Sequence, residues 1–275
     1  MTLREYLQNP FAMNPQKSLY TMDGTGVSRL HRFLPEAIVD GLRKQNRNLS
    51  RKEELLRVSQ KSNFVVMRRT DKDPPRARAI PDSVQVLYHC NLAKFQRGKI
   101  RHLPIGRDFR SAGAFQKLYN SWTGKPLDKP SFVYANFGQN THVSRPVAMK
   151  QLRHLHFVDC VDGVRYLNYP MSRDEYAQTL AGYRFVICPR GNGRDTYRFW
   201  DSLCCGCIPI VPSGTQPAWN LPFIEIRPAH WHQLTQRTLE QAWEKMLDHE
   251  YSFELLLQNY WIEKISTEYR SELSK

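Results

Sequence analysis

The sequence predicts an α/β protein built on parallel strands, and three observations carry that expectation. Short apolar runs alternate with polar connectors along most of the chain. One such run, Phe185, Val186, Ile187 and Cys188, leads into a glycine-rich basic loop, then a helix-like segment, then a second apolar strand. Between two further strands, Ser172 followed by Glu175 spells a capping box, the start of a helix. Strands separated by helices in this way are joined by crossovers and lie parallel.

In chain order, Phe33 to Asn46 and Arg51 to Ser62 read as helices. Extended runs follow at Phe64 to Met67, Val84 to Tyr88 and Ile100 to Leu103, the first two separated by the proline-bearing stretch Asp71 to Pro81. Asn120 to Pro130, with Trp122, Gly124, Lys125, Pro126 and Pro130, reads as a linker that divides the chain into residues 1–125 and 126–275. Beyond it Phe132 to Ala135 is expected as a strand, Val143 to Leu152 as a connector with helical character, and Leu155 to Val158 as the next strand. A helix from the Ser172 cap runs through Ala181. The strand at Phe185, a helix over Thr196 to Cys204 and a strand over Ile208 to Val211 complete the alternation. The tail, with Leu239, Trp243, Met246 and Leu247, then Phe253, Leu256, Leu257 and Trp261, should pack as terminal helices.

With 275 residues the chain can bury the core of two small α/β domains or one large one. No apolar run approaches the roughly 18 residues of a membrane span, and the start carries Arg4, Glu5 and Asn9 in place of a signal-peptide core, so a soluble, cytoplasmic protein is expected. The cysteines at 90, 160, 188, 204, 205 and 207 fall in or beside apolar segments and form one C-x-x-C without a second cluster, which argues against zinc and for a reducing compartment. A net charge of +14 favours polyanionic partners, among them nucleic acid, acidic glycans and phosphorylated small molecules. The basic residues are scattered and lack the interleaved aromatics of an RNA-reading sheet, which leaves nucleic-acid binding as the second reading.

The loop after Cys188 carries the chemistry. Gly191 and Gly193 leave backbone amides unscreened, a helix N-terminus opens near Thr196, and Arg190, Arg194 and Arg198 supply guanidinium forks; amides, dipole and forks together suit a diphosphate. The loop is neither a Walker motif nor G-x-G-x-x-G. Arg198 and Asp201, three apart on the helix, share a face and read as a clamp, the arginine toward phosphate and the carboxylate toward ribose hydroxyls.

Cys188 to Asp195, with Arg198, Asp201 and the run Gly206, Cys207, Ile208, Pro209, resembles the pattern of exostosin-like glycosyltransferases, C-P-R-G-N-G, then R-x-x-E, then an A-G-C-I-P-like strand entry. Asn136, Phe137, Gly138 through Arg145 resembles the family's F-x-G loop and following arginine. The chain departs from the pattern at Asp201, where the family carries glutamate. The resemblance implies a GT-B fold, two Rossmann-like domains facing across a cleft with the donor held by the C-terminal one. It further implies inverting transfer from a UDP-linked xylose, glucuronic acid, N-acetylglucosamine or galactose to a glycan hydroxyl, without a metal or other cofactor. Donor contacts are then expected from Arg145, Arg190, Gly191, Asn192, Gly193, Arg194, Asp195, Thr196, Arg198 and Asp201. Lacking an anchor, the chain is more similar to compact bacterial or large-DNA-virus forms. Inverting transfer needs a general base, for which Asp23, in a glycine-bearing loop, and Asp71, just beyond a strand, are the leading candidates, with His31 and His89 behind them. A catalytically inactive nucleotide-sugar binder is a further alternative.

Overall fold

A computed structural model describes residues 1–8, 38–40, 64–68, 80–92, 98–122, 125, 127–164, 170–217 and 219–274. Its apolar runs form two parallel sheets. The first contains β1 (Ile38–Asp40), β2 (Phe64–Arg68), β3 (Val86–His89) and β4 (Ile100–His102) in that spatial order. Buried residues lie on both faces of β2 and β3, which is why these two strands read as continuous apolar runs. Phe64, Val66, Val86 and Tyr88 face the main core, while Val65, Leu87 and Ile100 join Ile80, Val84 and Leu92 in a smaller cluster on the other side.

Here the sequence reading needs correction. Residues 38–40, expected within a helix, form a strand registered against 66–68. Ile38 and Val39 are β-branched and favour a pleated surface, and pairing covers the edge of β2. The remainder of that expected helix, and the helix expected over Arg51 to Ser62, lie outside the described residues.

The second sheet holds β5 (Ser131–Ala135), β6 (Val158–Cys160), β7 (Tyr183–Ile187), β8 (Ile208–Pro212) and β9 (Ile224–Ile226), in the order β6-β5-β7-β8-β9. Preceding and connecting these strands are the helices α1 (Leu3–Gln8), α2 (Ala112–Asn120), α3 (Ser144–Leu152), α4 (Arg173–Ala181) and α5 (Tyr197–Cys204); α6 (Gln236–Leu247) and α7 (Gln258–Leu273) follow. The capping box forms as expected: Glu175 N donates to Ser172 Oγ at 3.2 Å and Ser172 N to Glu175 Oε2 at 2.7 Å. β6 starts at Val158 instead of Leu155, because Leu155 N and Val158 N donate to Leu152 O and Leu155 O in a turn after α3. Helix α2 and strand β9 had no clear signal in the sequence.

Two tertiary features position the site. The last helix reaches back to the first sheet, where Glu268 accepts from the Tyr88 hydroxyl and from Arg101 Nε at 2.9 Å, and Tyr269 meets Phe64 edge-on at 5.3 Å. Beneath the second sheet the buried Lys129 ammonium donates to Ala181 O at 2.6 Å and to Cys205 O, the carbonyls that close α4 and α5.

Strand β5 has β6 on one side and β7 on the other, so the strand order reverses there. Right-handed crossovers send the chain leaving β5 and the chain leaving β7 to opposite faces. Their loops diverge and leave a crevice at the carboxyl ends of the two strands, where doubly wound sheets take ligands.

Candidate functional site

At that crevice lies a cavity of about 360 Å³. The loop after β7 borders it with Gly191, Asn192, Gly193, Asp195 and Thr196; the β5 side gives Thr141 and Arg145; α4 gives Arg173 and Tyr176; α5 gives Arg198 and Asp201. From the segment after the first sheet come Ile105, Asp108 and Arg110. Arg190 and Arg194 flank the loop without lining the cavity.

The glycine loop owes its shape to contacts on its inner side. Gly191 N donates to Gly193 O at 3.0 Å, so one of the two glycine amides expected to face an anion is engaged within the protein, and Asp195 N donates to Asn91 Oδ1 at 2.9 Å. The loop leads into α5 through Thr196, whose backbone is extended (φ −133°, ψ 143°) and whose side chain makes no cap bond. The first turn of α5 therefore opens beside the cavity without side-chain closure, the partially positive end of a helix.

Arg145 is 8% exposed and joins the two loops that bound the crevice. Its Nε donates to Arg190 O at 2.7 Å, Nη1 to Gly138 O at 2.8 Å and Nη2 to Pro189 O at 3.0 Å, with the guanidinium 5.7 Å from the centre of the Phe137 ring. Its planar fork suits three carbonyls held in fixed directions. Asp195 likewise turns inward: Oδ2 accepts from Ile105 N at 2.8 Å and Oδ1 from Trp200 Nε1 at 2.8 Å. Arg190 Nη2 reaches Asn192 O at 3.4 Å, and Asn192 stands exposed at the crest of the loop.

Arg198 and Asp201 share a helix face as the spacing predicts, with the Tyr176 hydroxyl between them. Arg198 Nη1 donates to that hydroxyl at 3.3 Å, the hydroxyl donates to Asp201 Oδ2 at 3.4 Å, and the guanidinium lies 5.6 Å from the Tyr176 ring centre. Asp201 is 2% exposed, and its Oδ1 has no hydrogen-bond partner among the described residues. Burial, followed by the charge of Asp108, pushes its carboxyl up to about 7, against the opposing pull of Arg107 and Arg198. Asp108 itself takes Arg110 Nε and Nη2, each at 2.9 Å, with Arg173 Nη1 at 3.7 Å.

The sequence reading missed Asp108, Arg110, Arg173 and Tyr176. Arg173 and Tyr176 stood at helical spacing on a helix already marked by its capping box, and that spacing was the available signal. Asp23, Asp71 and His31 lie outside the described residues, and His89 is buried at the end of β3. Among the described residues no group of three or more His, Cys, Asp or Glu side chains could hold a metal ion, and no helix is long and apolar enough to cross a membrane.

The molecule is thus a mixed α/β protein with a Rossmann-like sheet and an arginine-rich cavity at its point of strand reversal. No family model matches the chain. A local stretch is 40% identical over 58 residues to an Exostosin-1 homolog of Caenorhabditis elegans, covering 21% of this chain and 14% of that protein. Another comparison gives 33% identity over 66 residues with Exostosin-1c of Danio rerio, 24% of this chain and 8% of that one. The matches span a small part of these relatives' length and support an exostosin-like relationship over that stretch.

Proposed function

We propose that the chain is an inverting glycosyltransferase of GT-B type, with residues 1–125 as the acceptor domain and 126–275 as the donor domain. It moves a sugar from a UDP-linked donor to a glycan hydroxyl. The observation that carries this reading is the cavity at the β5/β7 reversal, where an uncapped helix start meets Arg110, Arg173 and Arg198. Such a set suits a nucleoside diphosphate, because guanidinium forks and helix amides complement phosphate oxygens. The local similarity to exostosins supports the same class.

In the transfer, the acceptor oxygen bonds to the anomeric carbon as the bond from that carbon to the β-phosphate oxygen breaks. UDP departs with the electron pair and a base takes the hydroxyl proton. Arg173 and Arg198 offset the charge growing on the leaving diphosphate, a role the proposal gives to arginine in place of a metal. Arg145 holds the loops, and Asp201 offers its oxygen to a hydroxyl of the nucleoside. Asp23 and Asp71 remain the candidates for the base. Changing the base to Asn should stop transfer while leaving UDP binding intact.

A thermal-shift series on the full chain with UDP-, GDP- and dTDP-sugars tests the reading. A ligand at about 100 times its Kd stabilises the native state by roughly 2.7 kcal/mol, so UDP-sugars should raise Tm by several degrees. A flat response to all three nucleotides, with salt-sensitive retention on DNA or RNA, would favour the nucleic-acid alternative. Binding without transfer or donor hydrolysis would favour an inactive nucleotide-sugar binder.

A further inference from the structure

The glycine loop belongs to the second sheet, yet residues that follow strands of the first sheet hold it in shape. Asn91, just beyond β3, is fully buried and has a φ of 66°, the left-handed region that asparagine visits more readily than most residues. Its Oδ1 accepts from Asp195 N, while the Asp195 carboxylate accepts from Ile105 N, so Asp195 is bonded through both its backbone and its side chain to the N-terminal half. A Cβ at position 193 would lie 2.7 Å from both Cγ and Nδ2 of Asn91, nearer than real atoms approach. Gly193 does not have a positive φ. What demands glycine there is the Asn91 amide pressed against the loop.

From this contact we infer that Asn91 is a positioning residue for the glycine loop. Its amide occupies the space a side chain at 193 would take and fixes the Asp195 amide just ahead of α5. The first sheet thereby sets the conformation in which the loop and helix start meet a diphosphate. The inference rests on the donor-site reading above. A residue that merely filled space would act through stability alone; a positioning residue changes affinity in a protein that stays folded.

Four proteins decide the matter: wild type, Asn91→Gly, Gly193→Ala and the double variant, each the whole 275-residue chain assayed for Tm and for binding of UDP and of inorganic diphosphate by calorimetry. Glycine adopts a φ of 66° without strain, so Asn91→Gly removes the amide and keeps the turn. Its Tm should fall by no more than about 10 °C while UDP binds at least tenfold more weakly. Gly193→Ala should lose both Tm and affinity, and the double variant should recover the Tm of Asn91→Gly without recovering affinity. The inference is overturned if Asn91→Gly binds UDP as wild type does. It is equally overturned if that variant fails to fold, or if Gly193→Ala is tolerated equally with and without the Asn91 side chain. Failure of wild type to bind either ligand would sink the donor-site reading itself, and this inference with it.

Discussion

The two sheets are both parallel, yet among the described residues the strand order reverses, and a crevice opens, at the second. In the first, each described strand is laid down beside its predecessor, β1-β2-β3-β4, so successive connections turn the same way. In the second, the chain leaves β5 for β6 and then returns past β5 to β7, so the loops leaving β5 and β7 diverge. Strand order, more than loop composition, decides where a cavity opens. The glycine loop holds its position because it follows β7; the contacts inside it tie it to Arg145 and Asn91.

Substitutions at the crevice, and at Asn91 that holds its loop, should therefore change ligand affinity, and substitutions in the first sheet remote from that loop only stability. The largest effect is expected for Arg145→Met, which strips three carbonyls, two of them in buried contacts, of a charged partner. At roughly 1.5–3 kcal/mol for each hydrogen bond to a charged group, not additively, a loss of about 3 kcal/mol or more should appear in urea unfolding, with UDP binding abolished. Full binding by a folded Arg145→Met protein would break the comparison. Next, Arg198→Ala removes a guanidinium that lines the cavity and should weaken UDP binding about 10- to 100-fold. Tm should shift little, since the side chain is only partly buried.

Asp201→Asn acts through pH. The folded carboxyl, pushed up to about 7, keeps a proton that an unfolded aspartate releases near its ordinary value, about 3.9. The folded state thus binds more protons across that window, and wild type loses stability as pH rises from about 4 through 7. The variant should match wild type in Tm below about pH 4, where the carboxyl is protonated in both states, and exceed it by several degrees at pH 8. An identical difference at both pH values would contradict the burial of a titrating carboxyl. The smallest effect belongs to the first sheet: Glu268→Gln weakens the link from α7 to Tyr88 and Arg101 and should cost about 1 kcal/mol, with UDP affinity unchanged. A change in affinity would show that the comparison draws the line between the sheets in the wrong place.

Much of the second sheet was legible because its determinants are local. The capping box at Ser172 and Glu175, the apolar run into Cys188 and the helix after Thr196 each lie within a few residues of what they specify. The partners of the glycine loop were not legible, since Asn91 is 104 positions before Asp195 and Ile105 is 90 positions before it. No periodicity encodes a contact at that distance. For the same reason Gly193 read as a bare amide for an anion, when its lack of a side chain serves the approach of Asn91. The strand at 38–40 was hidden because its β-branched pair sat inside a pattern of helical spacing, and the partner that decides between them is β2.

Lys129 carries a mechanical consequence. Helices α4 and α5 both begin at the cavity, with Arg173 and Tyr197, and both end at carbonyls held by this one ammonium. Neither helix can slide along its axis without breaking a bond to the nitrogen that holds the other, so their relative register is pinned at the end remote from the ligand. The spacing of the guanidinium groups at the mouth is left to the angle between two rods that share a pivot.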